Sequence, residues 1–97
     1  MLNKVLIIRF SSFGDVVQAM NSSRFIKNHN PNTQVVWLTK KVFKDFLDSE
    51  ESIDRVVTIE DDFDGKILPI KNYIKKEGFD LIYDAHRNLR TLILKLS

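Results

Sequence analysis

The sequence contains no cysteine, few glycines and prolines, and no long apolar run. Without cysteine, the chain has no disulfide framework, no thiolate zinc site and no cysteine nucleophile. No apolar run approaches the roughly 20 residues that a helix needs to cross a bilayer. The short apolar stretch near the N-terminus is broken at Arg9, too early for a secretory signal. We therefore expect the protein to stay in the cytoplasm.

Glycine occurs only at positions 14, 65 and 78, which excludes two glycine-rich phosphate-binding motifs. Neither G-x-G-x-x-G nor G-x-x-x-x-G-K-[ST] can be built from these positions. The acidic residues near position 60 fit the start of a calcium loop, but Lys71 stands where a bidentate glutamate is required. The two histidines, His29 and His86, are far apart in the sequence. The sequence therefore predicts no metal site.

Charge is nearly balanced over the whole chain but uneven along it. The formal net charge of +2 is too small to make nucleic-acid binding the default expectation. Residues 1–44 sum to +6, residues 45–64 to −8 and residues 65–97 to +4. If the two basic segments converge in the fold, they can attract an anionic ligand; otherwise the charges are solvated surface.

The apolar pattern alternates between strands and helices along one domain of 97 residues. Strands are predicted at residues 4–10, 34–39, 55–59 and 79–84. Helices are predicted from residues 11–15 to residues 28–31, at residues 40–48 and 67–77, and from Asn88 onward. The apolar face of the helix at residues 40–48 is expected to consist of Val42, Phe43, Phe46 and Leu47. This alternation predicts an α/β fold with a doubly wound parallel sheet in the strand order 3-2-1-4.

That strand order makes the first and fourth strands neighbours at the topological switch point, where such folds bind ligands. We expect the loops of residues 11–15 and 85–88 to meet there. The last predicted helix stops at Ser97 without a capping glycine or asparagine. Since doubly wound domains usually continue to a fifth or sixth strand, we expect a truncated chain with an incomplete domain. The alternative is a short closing helix.

Residues 11–15 carry the side chains best suited to chemistry. Gly14 allows a tight turn and the approach of a ligand, and Ser11 and Ser12 offer hydroxyls and amides to anionic groups at a helix N-terminus. Asp15 falls in the first turn, where the helix dipole favours its ionised form. The alternative is purely structural, with Ser12 a helix cap and Asp15 a favourable first-turn charge.

The segment Arg-x-Ser-Ser-x-Gly-Asp-Val-Val, at residues 9–17, resembles the opening of the heptosyltransferase family, glycosyltransferase family nine. This family builds the inner core of lipopolysaccharide. The resemblance continues in order through residues 37–39, residues 53–56 and the segment from Phe79 to Thr91, and it covers essentially the whole chain.

The resemblance implies a GT-B enzyme with two Rossmann-like domains. Residues 1–97 would form a truncated N-terminal, acceptor-side domain, and the C-terminal donor-binding domain would be absent. The enzyme would transfer a heptose or related sugar, with inversion, from a nucleotide-sugar donor such as ADP-heptose to a lipopolysaccharide inner-core acceptor. It would need no metal and no cofactor, and this chain alone would be inactive. Contact with the cytoplasmic face of the inner membrane is also expected.

The family motif assigns the role of general base to Asp15. Because the family's acceptor is anionic, the resemblance implies acceptor contacts from residues near the carboxyl edge of the sheet. These are Ser11, Ser12, Gly14, His86, Arg87, Arg90, Lys40 and Lys41. Arg90 matches a basic residue of the family segment and ranks first, whereas His86 and Arg87 replace the usual glutamine and glycine. Each basic side chain is alternatively a solvated surface charge.

A binding module without catalysis and a transferase of another sugar are the alternatives to a heptosyltransferase. A stand-alone Rossmann-like or flavodoxin-like module would bind a ligand without catalysis. A receiver domain is disfavoured, because it needs clustered acids at the ends of the first and third strands and a lysine after a fifth. A different GT-B transferase would use another sugar.

Overall fold

A computed structural model describes residues 3–84, which form a four-stranded parallel sheet with helices on both faces. The elements are β1 (Lys4–Ile8), α1 (Phe13–His29), β2 (Gln34–Thr39), a 3₁₀ turn (Lys41–Phe43), α2 (Lys44–Asp48), β3 (Arg55–Thr58), α3 (Ile67–Glu77) and β4 (Leu81–Asp84). The strand order is β3-β2-β1-β4, and every neighbouring pair is parallel. The predicted α/β class and strand order are confirmed, and the architecture is consistent with an incomplete Rossmann-like fold.

Strand β1 lies inside the sheet and is buried on both faces, as its continuous apolar run predicts. Val5 and Ile7 belong to one apolar cluster, and Leu6 and Ile8 belong to the other. Both its edges are paired, with Ile8 opposite Leu38 of β2 on one side and opposite Asp84 of β4 on the other.

Helices α1 and α2 pack on one face of the sheet, and α3 packs on the other. The first cluster contains Val16 and Met20 of α1, Leu47 of α2 and Trp37 of β2. A buried indole N–H needs an acceptor. In this core, Trp37 Nε1 donates to Ser23 Oγ at 2.7 Å. Three residues of α3 pack against the second cluster: Ile70, Tyr73 and Ile74.

Several element ends differ from the sequence prediction. Strand β1 ends at Ile8, two residues before its predicted end, and α1 begins at Phe13, inside the predicted start of residues 11–15, so residues 9–12 connect them. Residues 40–48 start with a 3₁₀ turn before α2, and Val42, predicted to lie on an apolar face, is 76% exposed. Helix α3 has the predicted bounds, and Gly78 caps it in the left-handed conformation at φ 66° and ψ 47°.

At the amino edge of the sheet, an ion pair joins α1 to the turn after α2. The guanidinium of Arg24 donates to both carboxylate oxygens of Glu50, from Nη2 at 2.8 Å and from Nε at 3.1 Å. Ser52 Oγ donates to the same carboxylate at 2.7 Å. The hydrogen bond from Arg24 is the main cause that lowers the pKa of Glu50 to about 2.

Within residues 3–84, no helix combines the length and apolar character needed to span a membrane. The predicted helix from Asn88 and the predicted loop of residues 85–88 lie outside the described residues.

Candidate functional site

The candidate site is built on the chain that leaves β1 at the carboxyl edge of the sheet. Arg9 follows the strand directly, and its main chain is held to β2 on both sides of the residue. Its amide donates to the Leu38 carbonyl at 3.1 Å, and the buried Thr39 hydroxyl donates to the Arg9 carbonyl at 2.7 Å. The Arg9 side chain is 11% exposed. The sheet therefore fixes the main chain of Arg9 before the loop to α1 begins, and most of the side chain is buried.

Asp15 lies in the first turn of α1 and makes contacts that hold its carboxylate. Ser12 is the N-cap of the helix, in an extended conformation. Asp15 Oδ2 accepts hydrogen bonds from Ser12 Oγ at 3.0 Å and from the Ser12 amide at 3.4 Å. It also accepts one from Arg9 Nη2 at 2.6 Å. An acid in the third helical position that bonds back to the N-cap amide is typical of a helix start.

These contacts keep Asp15 ionised. The hydroxyl and the amide of Ser12 contribute most to lowering its pKa, and the charge and hydrogen bond of Arg9 lower it further. The Asp15 side chain nevertheless remains 48% exposed. The carboxylate therefore stabilises the start of the helix, as the structural alternative predicts, and it is also accessible to a ligand.

Asp15 lines an open cleft of about 220 Å³ between α1 and β4. Its lining residues are Arg9, Asp15, Gln18, Ala19, Ser22 and Tyr83. Gln18 and Ser22 follow Asp15 by three and seven residues, a spacing that places all three on one side of the helix. Sequence reasoning missed this polar stripe, although its helical spacing was readable, and it also missed Tyr83 of β4.

The cleft adjoins an apolar hollow of about 550 Å³ on the same side of β4. Ser22 and Tyr83 line both cavities, and Phe25, Ile26 and Leu81 continue the second one. The cleft and the hollow together form one groove. Its polar end lies at the carboxyl edge of the sheet, where Arg9 pairs with Asp15.

Gly14 does not have the local structure that the sequence suggested, whereas Ser11 lies before the helix start as expected. Gly14 is the second residue of α1 and, unlike Gly65 and Gly78, has no positive φ. The expected tight turn at this glycine is therefore wrong, although a Cβ there would meet nothing within 4 Å, so the space beside it is open. Ser11 is exposed in the connection before the helix, and the peptide bond between Ser11 and Ser12 is cis.

Lys40 and Lys41 follow β2 and do not line the cleft. Lys41 instead contacts the acidic loop after β3. Its amide donates to Glu60 Oε1 at 2.8 Å, and its ammonium lies 3.5 Å from Asp61 Oδ1. The remaining predicted acceptor-contact residues, His86, Arg87 and Arg90, lie outside the described residues.

Histidines and acids do not gather into a metal site in the part of the chain that the structure describes: no group of three or more of them could hold an ion there. The cleft offers the chemistry of the side chains that line it. It comprises an ionised carboxylate, a guanidinium, an amide and two hydroxyls, a set suited to proton transfer and to hydrogen bonding of a polyhydroxylated ligand.

The chain is 24% identical over 93 residues to lipopolysaccharide heptosyltransferase 1 of Campylobacter coli, which indicates at most a distant relationship. The matched region is 96% of this chain but 25% of that protein, so the chain spans about a quarter of the length of this curated relative. No family model and no solved structure matches the chain.

Proposed function

We propose that the chain is the acceptor-side part of a glycosyltransferase of the heptosyltransferase type, with Asp15 as its general base. The observation that carries this proposal is the ionised, half-exposed Asp15 carboxylate in a cleft at the switch point between β1 and β4. The similarity to a protein named as a lipopolysaccharide heptosyltransferase supports the choice of sugar transfer.

In the proposed reaction, Asp15 removes the proton from an acceptor hydroxyl as the hydroxyl oxygen attacks the anomeric carbon of the donor sugar. The new bond joins this oxygen to the anomeric carbon, and the bond to the nucleotide diphosphate breaks on the opposite side. The configuration inverts, the proton ends on Asp15, and the bond electrons leave with the diphosphate. Proton transfer of this kind contributes about 10²–10⁴-fold to a rate.

The other residues of the cleft fit the binding of an acceptor sugar. Gln18, Ser22 and Tyr83 offer amide and hydroxyl groups beside Asp15, which can hydrogen-bond sugar hydroxyls. For an anionic acceptor, we further propose contacts from Arg90 first, then from Arg87 and His86. Lys40 and Lys41 would act only at a distance, since Lys41 is engaged with Asp61.

The partners follow from the same proposal. The donor is a nucleotide-activated heptose such as ADP-heptose, held by a C-terminal domain outside this chain, and the acceptor is an anionic glycolipid at the cytoplasmic face of the inner membrane. Neither a nucleic acid nor a metal takes part. This chain without a donor domain is then inactive.

Replacement of Asp15 in the full-length protein that carries this chain tests the proposed function. Asp15→Asn keeps the size of the side chain and an oxygen for the Ser12 amide but removes the base, so we expect kcat to fall by about 10²-fold or more. Turnover is measured with ADP-heptose and a lipopolysaccharide-core acceptor. Asp45→Asn is the matched control, because Asp45 is an exposed first-turn acid of α2.

Near-normal turnover of Asp15→Asn would reject the role of Asp15. A wild-type protein that binds the acceptor but transfers no sugar would instead support a binding module without catalysis.

A further inference from the structure

The contacts of the Asp15 carboxylate are unequal. Each hydrogen bond that this carboxylate accepts within residues 3–84 ends on Oδ2: one from Arg9 and two from Ser12. Oδ2 is therefore the anchored oxygen. Oδ1 belongs to the same half-exposed side chain, and that side chain lines the cleft.

Arg9 is the better fixed of the two partners of Asp15. Ser12 is exposed and lies in the loop before α1. Arg9 is buried, its main chain is bonded to Leu38 and Thr39 of β2, and its contact with Asp15 is the shortest of the three at 2.6 Å. A charged donor also makes a stronger hydrogen bond to a carboxylate than a neutral one. Arg9 thus ties Oδ2 to the residue that follows β1, in addition to the two bonds from Ser12.

We propose that Arg9 is a positioning residue that holds Asp15 by Oδ2 and so reserves Oδ1 for the proton of the acceptor hydroxyl. This inference rests on the proposed function, because it assumes that Asp15 accepts a proton. It gives the two carboxylate oxygens different roles: Oδ2 is held by Arg9 and Ser12, and Oδ1 accepts the proton. A carboxylate fixed by one oxygen keeps its second oxygen in a defined place, which general-base catalysis requires.

Within residues 3–84, Ser12 and Arg9 are the residues whose contacts lower the pKa of Asp15. Arg9 itself comes from the end of β1, and β4 contributes the Tyr83 phenol to the same cleft. Thr39 of β2 touches the main chain of Arg9 and carries no charge. A change in the titration of Asp15 on replacement of Arg9 therefore reports on the loss of their contact.

A purely structural role of Arg9 would leave a different signature. If the pair only joined β1 to α1, replacing Arg9 would lower stability and raise the pKa of Asp15, but it would leave kcat and the pH profile of the reaction unchanged. If Arg9 holds the catalytic carboxylate, replacement also lowers kcat at a pH where Asp15 is ionised, and the rise in the pKa of Asp15, whose ionised form loses a positive neighbour and a donor, enters the pH profile. The acid limb of the kcat/KM profile then moves to higher pH.

The experiment compares Arg9→Met with Arg9→Lys in the full-length protein. Carbon-13 NMR of labelled aspartate follows the Asp15 carboxyl, whose signal is assigned by its loss in Asp15→Asn. We expect Arg9→Met to raise the pKa of Asp15 and to lower kcat by about 10–100-fold, as a small misplacement of a catalytic group does, with KM changed less. Arg9→Lys should restore part of both effects, because it keeps the charge.

Thr39→Val provides a second variant should Arg9→Met fail to fold. It removes only the hydrogen bond to the Arg9 carbonyl, and we expect a smaller change of kcat in the same direction. Folding of each variant is verified by the emission of the buried Trp37.

The outcomes separate the two proposals. An unchanged kcat and an unchanged acid limb in folded Arg9→Met would overturn the role of Arg9, even if the Asp15 titration moves and Asp15→Asn is inactive. Full activity of Asp15→Asn would instead remove the proposed function, while the NMR titration would still show whether Arg9 holds the carboxylate.

Discussion

Asp15 shows how one side chain combines helix capping with a place in a cleft. Its Oδ2 accepts from the Ser12 amide and hydroxyl, so part of the reason for an acid at this position is the stability of α1. The sequence predicted an ionised first-turn carboxylate, and the lowered pKa agrees with that expectation. The contact with Arg9 was not predictable, because it depends on where the side chain of the residue that follows β1 points in the folded chain.

Gly14 provides a test at the residue scale that separates stability from ligand access. A helical glycine with open space beside it costs about 0.5–1 kcal/mol relative to alanine. We therefore expect Gly14→Ala to raise the free energy of unfolding by up to that amount. If the open space serves the approach of the acceptor, the same variant should raise KM for the acceptor.

Gly78→Ala is the matched control for Gly14→Ala. Both sites have open space for a Cβ, but Gly78 has a φ of 66°, so alanine there should lower the free energy of unfolding by about 1–2 kcal/mol. Both values are obtained from urea unfolding of the same protein. A loss of stability in Gly14→Ala would show that the glycine is required by the helix rather than by a ligand.

At the scale of elements, how well the sequence predicts the bounds of a helix or strand depends on the length of that element and on the residues around it. Helix α3 and strand β2 have their predicted bounds, because continuous patterns and the Gly78 cap define them locally. Around α2 the apolar spacing was misleading: Val42 is exposed, since a five-residue helix after a 3₁₀ turn cannot place four apolar residues on one side. Only tertiary contacts decide such a short segment.

A testable prediction at this scale concerns the stability that the ion pair of Arg24 with Glu50 provides between α1 and the turn after α2. Glu50 has a pKa of about 2 in the folded protein against its ordinary 4.5. A lowered pKa contributes stability that is present above pH 4.5 and is lost as the pH falls toward 2. After allowance for solvent screening at Arg24, we expect Glu50→Gln to cost about 1–2 kcal/mol at pH 7.

Urea unfolding at pH 7 and at pH 3 measures this effect. The difference between the wild type and Glu50→Gln should shrink at the lower pH, because the wild type then begins to lose the same contribution. Glu51→Gln, at the exposed neighbouring position, serves as the control and should follow the wild type. A difference that stays constant with pH would mean that Glu50 does not stabilise the fold through its charge.

At the scale of the whole molecule, ion pairs between an acidic and a basic segment partly neutralise the uneven charge along the sequence. Acids from residues 45–64 contact basic residues from residues 1–44. These pairs are Arg24 with Glu50, Lys27 with Asp54, Lys41 with Asp61 and, within α2, Lys44 with Asp48. The sequence showed the blocks of charge but not their partners, because the pairing follows from the neighbouring positions of β1, β2 and β3. In the described part of the chain, the acidic block therefore offsets the first basic block.

Cooperative unfolding of the sheet is the prediction for the whole molecule. Trp37 is fully buried in the first apolar cluster and is bonded to Ser23. Ser23→Ala leaves the buried indole N–H without its acceptor, so we expect a loss of about 1–3 kcal/mol. Tryptophan emission and circular dichroism, recorded together during urea unfolding, should give coincident transitions. Separate transitions would show that the two faces of the sheet unfold independently.

The strand order has a consequence for how the specificity of this molecule can change. The step from β3 to β4 reverses the direction of strand addition, so its crossover carries α3 to the face opposite α1. Any right-handed crossover that left β4 in the same direction would also pass on the α3 side. The cleft beside α1 is thus a product of chain topology, and among the described residues Gln18 and Ser22 of its lining belong to neither apolar cluster. Substitutions at Gln18 and Ser22 can therefore change which ligand fits the cleft while the sheet and its helices stay the same.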